Sequence, residues 1–168
     1  MIGILRAGIF SDAIVMGPGS LYTSVLANLL IENLSAAIAR AQAPKIYICN
    51  VMTQPHETDR CTAFDHVNAI AEHARPDVLS HVIVNNGPIP AATLARYARM
   101  GSAPVTPDTD RIRALGYQVI EDNIVNTVDM VRHNPRRVSK LILEILSADR
   151  KKGAAERKRR KNLFAQAA

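Results

Sequence analysis

The sequence predicts an α/β fold with a mostly parallel sheet. Short apolar runs that end in polar residues alternate along the chain with longer amphipathic stretches, and this alternation is typical of parallel strands joined by crossover helices. The chain has 168 residues, of which 48% are hydrophobic and 21% charged. That is enough apolar side chain to bury the core of one domain.

Four apolar runs are the predicted strands. The runs at 45–52 and 81–86 are rich in β-branched residues and end in polar ones, as strands buried on both faces do. The first run, 13–17, ends in glycine, and the fourth lies at 117–125. Residues 104–107 are a weaker candidate for one more short strand. The pattern leaves the order of the strands in the sheet undefined.

Four stretches have apolar residues three or four positions apart, which predicts helices at 24–41, 63–74, 91–100 and 135–146. Asn134 is a suitable cap for the last of these, because the proline after it takes the first helical position. Helices placed between the predicted strands favour right-handed crossovers.

Charge divides the chain into a body, residues 1–149, and a tail, residues 150–168. Eight basic residues and one acid lie between 150 and 161, so the tail carries a formal charge of +7 and the body −1. Gly153 and the charge density predict a disordered tail. Such a tail can attract nucleic acid or anionic lipid without specificity, but a solubilising end is the favoured interpretation. We expect no specific nucleic-acid partner.

Composition also predicts the compartment. No apolar run approaches the roughly 18–20 residues of a membrane span, and the first residues lack the pattern of a signal peptide. Cys49 and Cys61 alone are too few for a disulfide scaffold or a four-ligand zinc site. Grouping them with His56 and His66 matches no zinc spacing, and no metal site is predicted. The expectation is a reducing, cytoplasmic location.

Three segments carry candidate site residues. In the first, residues 16–24, the backbone can approach a ligand closely at Gly17 and Gly19, and hydroxyls follow where a helix begins. Free N–H groups beside hydroxyls suit a phosphate, but a strand-to-helix turn with a serine cap explains the segment equally well. The hydroxyl side chains are Ser20, Tyr22, Thr23 and Ser24.

The second segment, residues 49–62, places polar side chains in a loop after a predicted strand. Amide and hydroxyl groups can read a base or a sugar edge through paired donors and acceptors. An ordinary exposed loop is the alternative, and composition alone favours it. The candidate residues are Asn50, Thr53, Gln54, Glu57 and Thr58.

The third segment begins a helix with Asp65 and His66. This pair could orient a ligand or transfer a proton, although the helix dipole alone explains an acid in the first turn. Adjacent helical residues point about 100° apart, so the pair forms no relay by itself. We interpret His73, His81 and His133 as structural residues.

In this order the segments resemble the YvcK branch of the CofD-like family. The matching motifs are GPGSLYTS followed by Asn28, Leu29 and Leu30, then CNVMTQP, DHVNAI and VIVNN, and finally Tyr97 before Pro104 and RHNP before the last helix. The similarity covers roughly residues 9–147, which is almost the whole body. Ordered motifs over that span are more specific than any one motif alone.

The resemblance implies a Rossmann-like, cytoplasmic protein that binds UDP-sugars such as UDP-N-acetylglucosamine, acts in gluconeogenic growth and cell shape, and forms a homodimer. It does not imply catalysis. The alternative is the activity of the CofD relatives, a magnesium-dependent 2-phospho-lactate transferase that uses a nucleotide-activated substrate. The implied ligand-binding residues are Gly17, Gly19, Ser20, Tyr22, Thr23, Ser24, Asn28, Asn50, Thr53, Gln54, Glu57, Thr58, Asp65 and His66. In the transferase alternative, carboxylates such as Glu57 and Asp65 would hold the magnesium.

Two departures from the family pattern affect these expectations. Members are longer and open with a Gly-rich strand–turn–helix, so this chain resembles a carboxyl-terminal portion of them. The family also has glycine where QPHET has His56, and histidine would be strained there if the position needs a positive φ, or would narrow the pocket. Ala27 in place of proline is a smaller change.

Overall fold

The computed structural model describes the backbone of residues 11–128 and 130–166, and the side chains of these residues except Pro76 and 156–166. Four parallel strands form one sheet whose spatial order follows the chain. They are β1 (Ile14–Met16), β2 (Lys45–Ile48), β3 (His81–Asn85) and β4 (Gln118–Asp122). The predicted α/β class with a mostly parallel sheet is confirmed, and the four strands lie within the predicted runs.

Helical segments connect the strands. The elements are α1, a π-helical segment (Leu21–Leu26), α2 (Ala27–Leu29) and α3 (Glu32–Arg40) before β2; α4 (Ala63–His73) and a 3-10 turn (Pro76–Val78) before β3; and α5 (Ala91–Arg99) and α6 (Thr109–Ala114) before β4. The sequence did not predict α6, because its six residues follow a proline-rich connection and are too few to show helical periodicity.

The stretch predicted as one helix at 24–41 begins earlier and is bent. The chain turns by 76° between Leu21–Leu29 and Glu32–Arg40, because Ile31 is extended, with φ −72° and ψ 105°. No single helix among the described residues is long and apolar enough to cross a membrane, and only this bent pair passes that test as a unit.

Alternation along β2 and β3 divides the core into two clusters. Tyr47, Cys49 and Val82 contribute to the cluster that holds the buried residues of α1 to α4. Ile46 and Ile83 contribute to the other, on the opposite face of the sheet. Because successive residues of a strand point to opposite faces, the sheet is buried on both sides and lies in the middle of three layers.

The second face is covered by the last helix. After β4 the chain forms a small antiparallel ladder, β5 (Val125–Asn126) and β6 (Arg132–His133), and then enters α7 (Pro135–Gln166). The predicted start of this helix is confirmed, since Asn134 Oδ1 accepts a hydrogen bond from Arg137 N at 3.2 Å. Arg137 also pairs with Asp122 at the end of β4.

The backbone differs from the sequence prediction at two places. Residues 104–107 form no strand, and Pro104 makes only an isolated bridge to Met52, since proline lacks the N–H that a ladder needs. The tail predicted to be disordered instead continues α7 to Gln166. Its residues are mainly alanine, lysine and arginine, which are strong helix formers that outweigh the single Gly153.

The packing of α7 can be tested with one substitution made at two sites. Leu141 is 4% exposed and Leu143 is 62% exposed on the same helix. Leu141→Ala should lower the free energy of unfolding by about 2–5 kcal/mol through lost burial and a cavity, and Leu143→Ala should change it by about 0.5 kcal/mol or less. Urea unfolding measures both, and equal losses would show that α7 does not cover the sheet as described.

Candidate functional site

A cavity of about 320 Å³ opens where β1 and β2 end, and we call it the polar cavity because five of its lining residues have polar side chains. The carboxyl ends of parallel strands are where ligands bind in open α/β sheets. Two of the three predicted segments meet here, and α5 and β6 add the remaining wall. The lining residues are Pro18, Gly19, Ser20, Asn50, Val51, Met52, Gln54, Tyr97, Val131 and His133.

The turn after β1 depends on glycine. Gly17 has φ 81°, and a Cβ there would lie 2.9 Å from the carbonyl oxygen of Ile48, so a larger residue would push β1 and β2 apart. Ser20 follows as the N-cap of α1, and its Oγ accepts a hydrogen bond from Thr23 N at 3.1 Å. The serine-capped turn is therefore present beside the cavity.

Glu57 joins the polar loop to this turn. Its Oε1 accepts a hydrogen bond from Ser20 Oγ and another from Tyr22 N at 3.1 Å. The carboxylate thus occupies the start of α1, the position at which the sequence made a phosphate one of two candidates. Any anion that bound at those two groups would have to displace Glu57.

The rest of the second segment has two roles. Asn50 and Gln54 line the cavity, and Asn50 Nδ2 donates to Gln54 Oε1 at 3.5 Å. Thr53 and Thr58 are buried instead. Thr53 Oγ1 accepts from Ala103 N at 2.9 Å and Thr58 Oγ1 from Gln54 N at 2.9 Å. Both threonines therefore stabilise the loop without lining the cavity.

Two lining residues with polar side chains, Tyr97 and His133, were not among the predicted site residues. His133 Nε2 donates to the carbonyl oxygen of Cys49 at 2.9 Å, and Tyr97 Oη accepts from Val131 N at 3.0 Å. Burial lowers the pKa of His133, so its neutral form is favoured. Both residues lie in motifs that match the family, but neither has a local partner pattern that marks a site.

The third segment lies outside the cavity lining. Asp65 Oδ2 accepts from Thr62 N at 2.7 Å in a capping box at the start of α4. His66 is fully buried, and its Nδ1 donates to the carbonyl oxygen of Thr62 at 2.8 Å. Its Nε2 has no hydrogen-bond partner within the described structure, and burial is the main reason that the pKa of His66 is lowered.

The remaining candidates of the first segment face elsewhere. Ser24 and Asn28 line a second groove of about 310 Å³ beside β1, which we call the apolar groove because most of its other lining residues have apolar side chains. Asn28 Nδ2 donates to the carbonyl oxygen of Ser24 at 2.6 Å. Tyr22 is 45% exposed and Thr23 is also exposed. Direct contact with a ligand in the polar cavity is therefore best supported for Gly19 and Ser20.

His56 has the conformation that the family pattern implied. Its φ is 66°, in the region that favours glycine. The side chain is exposed and does not line the cavity, so histidine strains the loop here without narrowing the pocket.

The described residues contain no group of three or more His, Cys, Asp or Glu side chains that could hold a metal ion. Cys49 is fully buried in the core. Burial raises the pKa of its thiol to about 12, which keeps it protonated and unsuited to metal ligation.

The sheet and its polar carboxyl edge define a Rossmann-like α/β protein, and comparison with known proteins identifies the family. The family model of the 2-phospho-L-lactate transferase CofD matches residues 5–125. This chain therefore belongs to the CofD family.

Relatives in this family carry the name gluconeogenesis factor. The protein of that name from Halalkalibacterium halodurans is 46% identical over 135 residues, which cover 80% of this chain and 42% of the relative. The one from Bacillus subtilis is 41% identical over 137 residues, covering 81% of this chain and 43% of the relative. The chain thus spans less than half the length of these relatives.

A solved structure supports the fold. The crystal structure of a UPF0052 family member from Bacillus halodurans matches with a TM-score of 0.83 and 44% sequence identity. The match covers 85% of this chain and 46% of the other. The Rossmann-like fold and the resemblance to the YvcK branch are confirmed.

The positive φ at residue 56 predicts a stability gain from glycine. His56→Gly should raise the free energy of unfolding by about 1 kcal/mol, because glycine adopts this conformation without the steric cost that other residues pay. His56→Ala keeps the strained backbone and serves as the control in urea unfolding. A glycine variant no more stable than the alanine variant would contradict the assignment.

The buried His133 predicts a pH dependence. Its pKa is lowered from 6.5 in the folded protein, so below about pH 6.5 the unfolded chain binds more protons and the free energy of unfolding falls. His133→Gln keeps a donor for the Cys49 carbonyl but cannot titrate, and its stability should fall less on acidification. Urea unfolding between pH 5 and 8 makes the comparison, and identical pH profiles would refute it.

Proposed function

We propose that this chain carries a nucleotide-sugar site of a regulatory protein similar to the YvcK branch, with UDP-sugars such as UDP-N-acetylglucosamine as the ligand class. The observation that carries the proposal is the meeting of Gly19 and Ser20 from one motif with Asn50 and Gln54 from another in a single cavity at the carboxyl edge of the sheet. Relatives named gluconeogenesis factors support a role in gluconeogenic growth. Action in the cytoplasm and in cell shape is part of the proposal and rests on the resemblance.

The chemistry of the cavity favours the uncharged parts of such a ligand. The amides of Asn50 and Gln54 offer paired donors and acceptors for a base or a sugar hydroxyl, and Tyr97 adds an aromatic surface. Glu57 already holds the hydroxyl of Ser20 and the N–H of Tyr22. We therefore assign the base or the sugar to the amide wall and place no phosphate on the two groups that Glu57 holds.

The size of the cavity agrees with partial enclosure of the ligand. Its volume of about 320 Å³ lies at the lower end of the range for small-molecule sites, about 300–1,000 Å³. A UDP-sugar would extend beyond it along the edge of the sheet.

Self-association is also part of the proposal. Apolar side chains are exposed beside the edge strand β1, where Val15 is 43%, Leu30 62% and Ile31 44% exposed. Within the described residues β1 pairs on one side only, with β2, and an unpaired apolar edge favours association. A homodimer through this edge is consistent with that pattern.

The binding proposal predicts a saturable stabilisation by ligand. UDP-N-acetylglucosamine at a hundredfold excess over its dissociation constant should raise the free energy of unfolding by about 2.7 kcal/mol in a thermal-shift titration. Asn50→Ala and Gln54→Ala should each weaken binding by about tenfold, since one lost hydrogen bond costs about 1.4 kcal/mol. Asn33→Ala, at an exposed position on α3, is the matched control.

Three outcomes would contradict parts of this proposal. A cooperative melt without any shift at millimolar UDP-N-acetylglucosamine would show that this chain alone does not hold the site. Loss of affinity in the Asn33→Ala variant as well would show that the amide wall is not specific. A shift with GDP and magnesium but none with the UDP-sugar would favour the transferase alternative.

The name of the matching family model favours that alternative, a 2-phospho-lactate transferase. The side chains near the cavity do not fit the magnesium that such a transferase uses. Glu57 binds Ser20 and the backbone of α1, and Asp65 closes the capping box of α4. Since no metal-binding group of three exists among the residues described, we derive no catalytic step through magnesium.

A further inference from the structure

The described side chains in the second half of α7 contribute little to the core. Among the described side chains of this helix the last buried one is Ile145, and those from Ser147 to Lys152 are all exposed. We call residues 150–166 the basic arm. At about 1.5 Å per residue its 17 helical positions extend for about 25 Å, and the matched family model ends at residue 125, before α7 begins.

The contacts near the start of the arm are weak. Arg150 pairs with Asp12 at 2.9 Å, but the two side chains are 70% and 74% exposed, and exposed pairs contribute little to stability. The charge of Arg150 therefore gives the fold little stability.

The net positive charge of the molecule lies in the arm. It holds eight basic residues and one acid, while residues 1–149 carry a formal charge of −1. The basic residues fall within 12 positions, about 18 Å of helix, which gives roughly one positive charge per 2 Å. Duplex DNA carries one negative charge per about 1.7 Å of its axis, so the two charge densities are similar.

The order of residues in the arm favours duplex DNA over insertion into a membrane interface. Five consecutive basic residues occupy positions 157–161, and at about 100° per residue these positions go once around the helix. A helix inserted into a membrane interface needs an apolar face opposite the basic one, and five consecutive basic residues leave no room for one at these positions. A groove with phosphates on both sides matches charge distributed all around a helix.

The dimensions match B-form DNA. Its major groove is about 12 Å wide and admits an α-helix, whose diameter with side chains is about 10–12 Å. The major groove of A-form RNA is too deep and narrow for this. Lysine and arginine contacts to phosphates carry no sequence information, and the arm has one aromatic residue, Phe164.

We propose that the basic arm binds duplex DNA without sequence preference, by lying in the major groove with its charges against the phosphates. This function is separate from the proposed nucleotide-sugar site, because the arm and the polar cavity share no residue. It would hold the folded body beside DNA while the cavity stays accessible.

The test is fluorescence anisotropy of the full chain with a 20-base-pair DNA duplex of mixed sequence at 50 and 200 mM KCl. If the five residues 157–161 each neutralise one phosphate, the affinity should fall about 500-fold between these salt concentrations, from a slope of about −4.5 in log–log form. The variant with R157Q, K158Q, R159Q, R160Q and K161Q should lose most of this binding and of this salt dependence. Glutamine has a helix propensity close to those of lysine and arginine, and circular dichroism confirms that α7 remains helical.

A matched control removes the same charge from the body, with R40Q, R60Q, R99Q, R136Q and K140Q. Its affinity for the DNA and the slope of its salt dependence should both stay within about twofold of those of the unmodified chain. Equal losses in the two variants would overturn the proposal, because net charge rather than the arm would then explain binding. Retained binding in the arm variant, tighter binding to an RNA duplex, or binding to phosphatidylserine vesicles without binding to the DNA would each overturn it too.

Discussion

Burial of β2 and β3 on both faces is the constraint on which the rest of the structure depends. Ile46 and Ile83 need α7 on one side, and Tyr47 and Val82 need α1 to α4 on the other. Neither layer can be removed without exposing a row of large apolar side chains, each of which gains about 1.5–3 kcal/mol from burial. With both faces occupied, only the edges of the sheet and the ends of its strands are free to carry polar chemistry. The cavity lies at the carboxyl end for this reason.

At the carboxyl edge of the sheet, Glu57 determines which ligand groups the site favours. Its carboxylate joins the polar loop after β2 to the first turn of α1, and the favourable dipole at a helix start stabilises it there. The site therefore has its own anion in the position most suitable for a phosphate. Asn50 and Gln54 remain as neutral groups that can select a ligand by hydrogen-bond pattern. Recognition of a neutral ring or a set of hydroxyls follows more directly from this geometry than recognition of phosphate.

Local sequence patterns predicted the sheet well and the site only in part. The β-branched runs that became β2 and β3 could be identified because buried parallel strands need continuous apolar residues. The bend at Ile31 and the short α6 could not, since tertiary packing decides them. His133 lies in the cavity wall and contacts Cys49, which is 84 positions earlier in the chain. No local sequence pattern encodes such a contact. The tail is helical and not disordered as predicted, because alanine, lysine and arginine favour a helix even where charge density is high.

The turn Gly17–Pro18–Gly19 separates the polar cavity from the apolar groove beside β1. Pro18 and Gly19 line both the polar cavity and the apolar groove, so this part of the backbone is a thin wall between them. A side chain at residue 17 would meet the carbonyl of Ile48 and one at residue 19 would crowd Ser24. Either would thicken the wall and change both spaces at once. The cavity and the groove together therefore require small residues at this turn. A group that packs in the groove would contact the same backbone that a ligand in the cavity would contact.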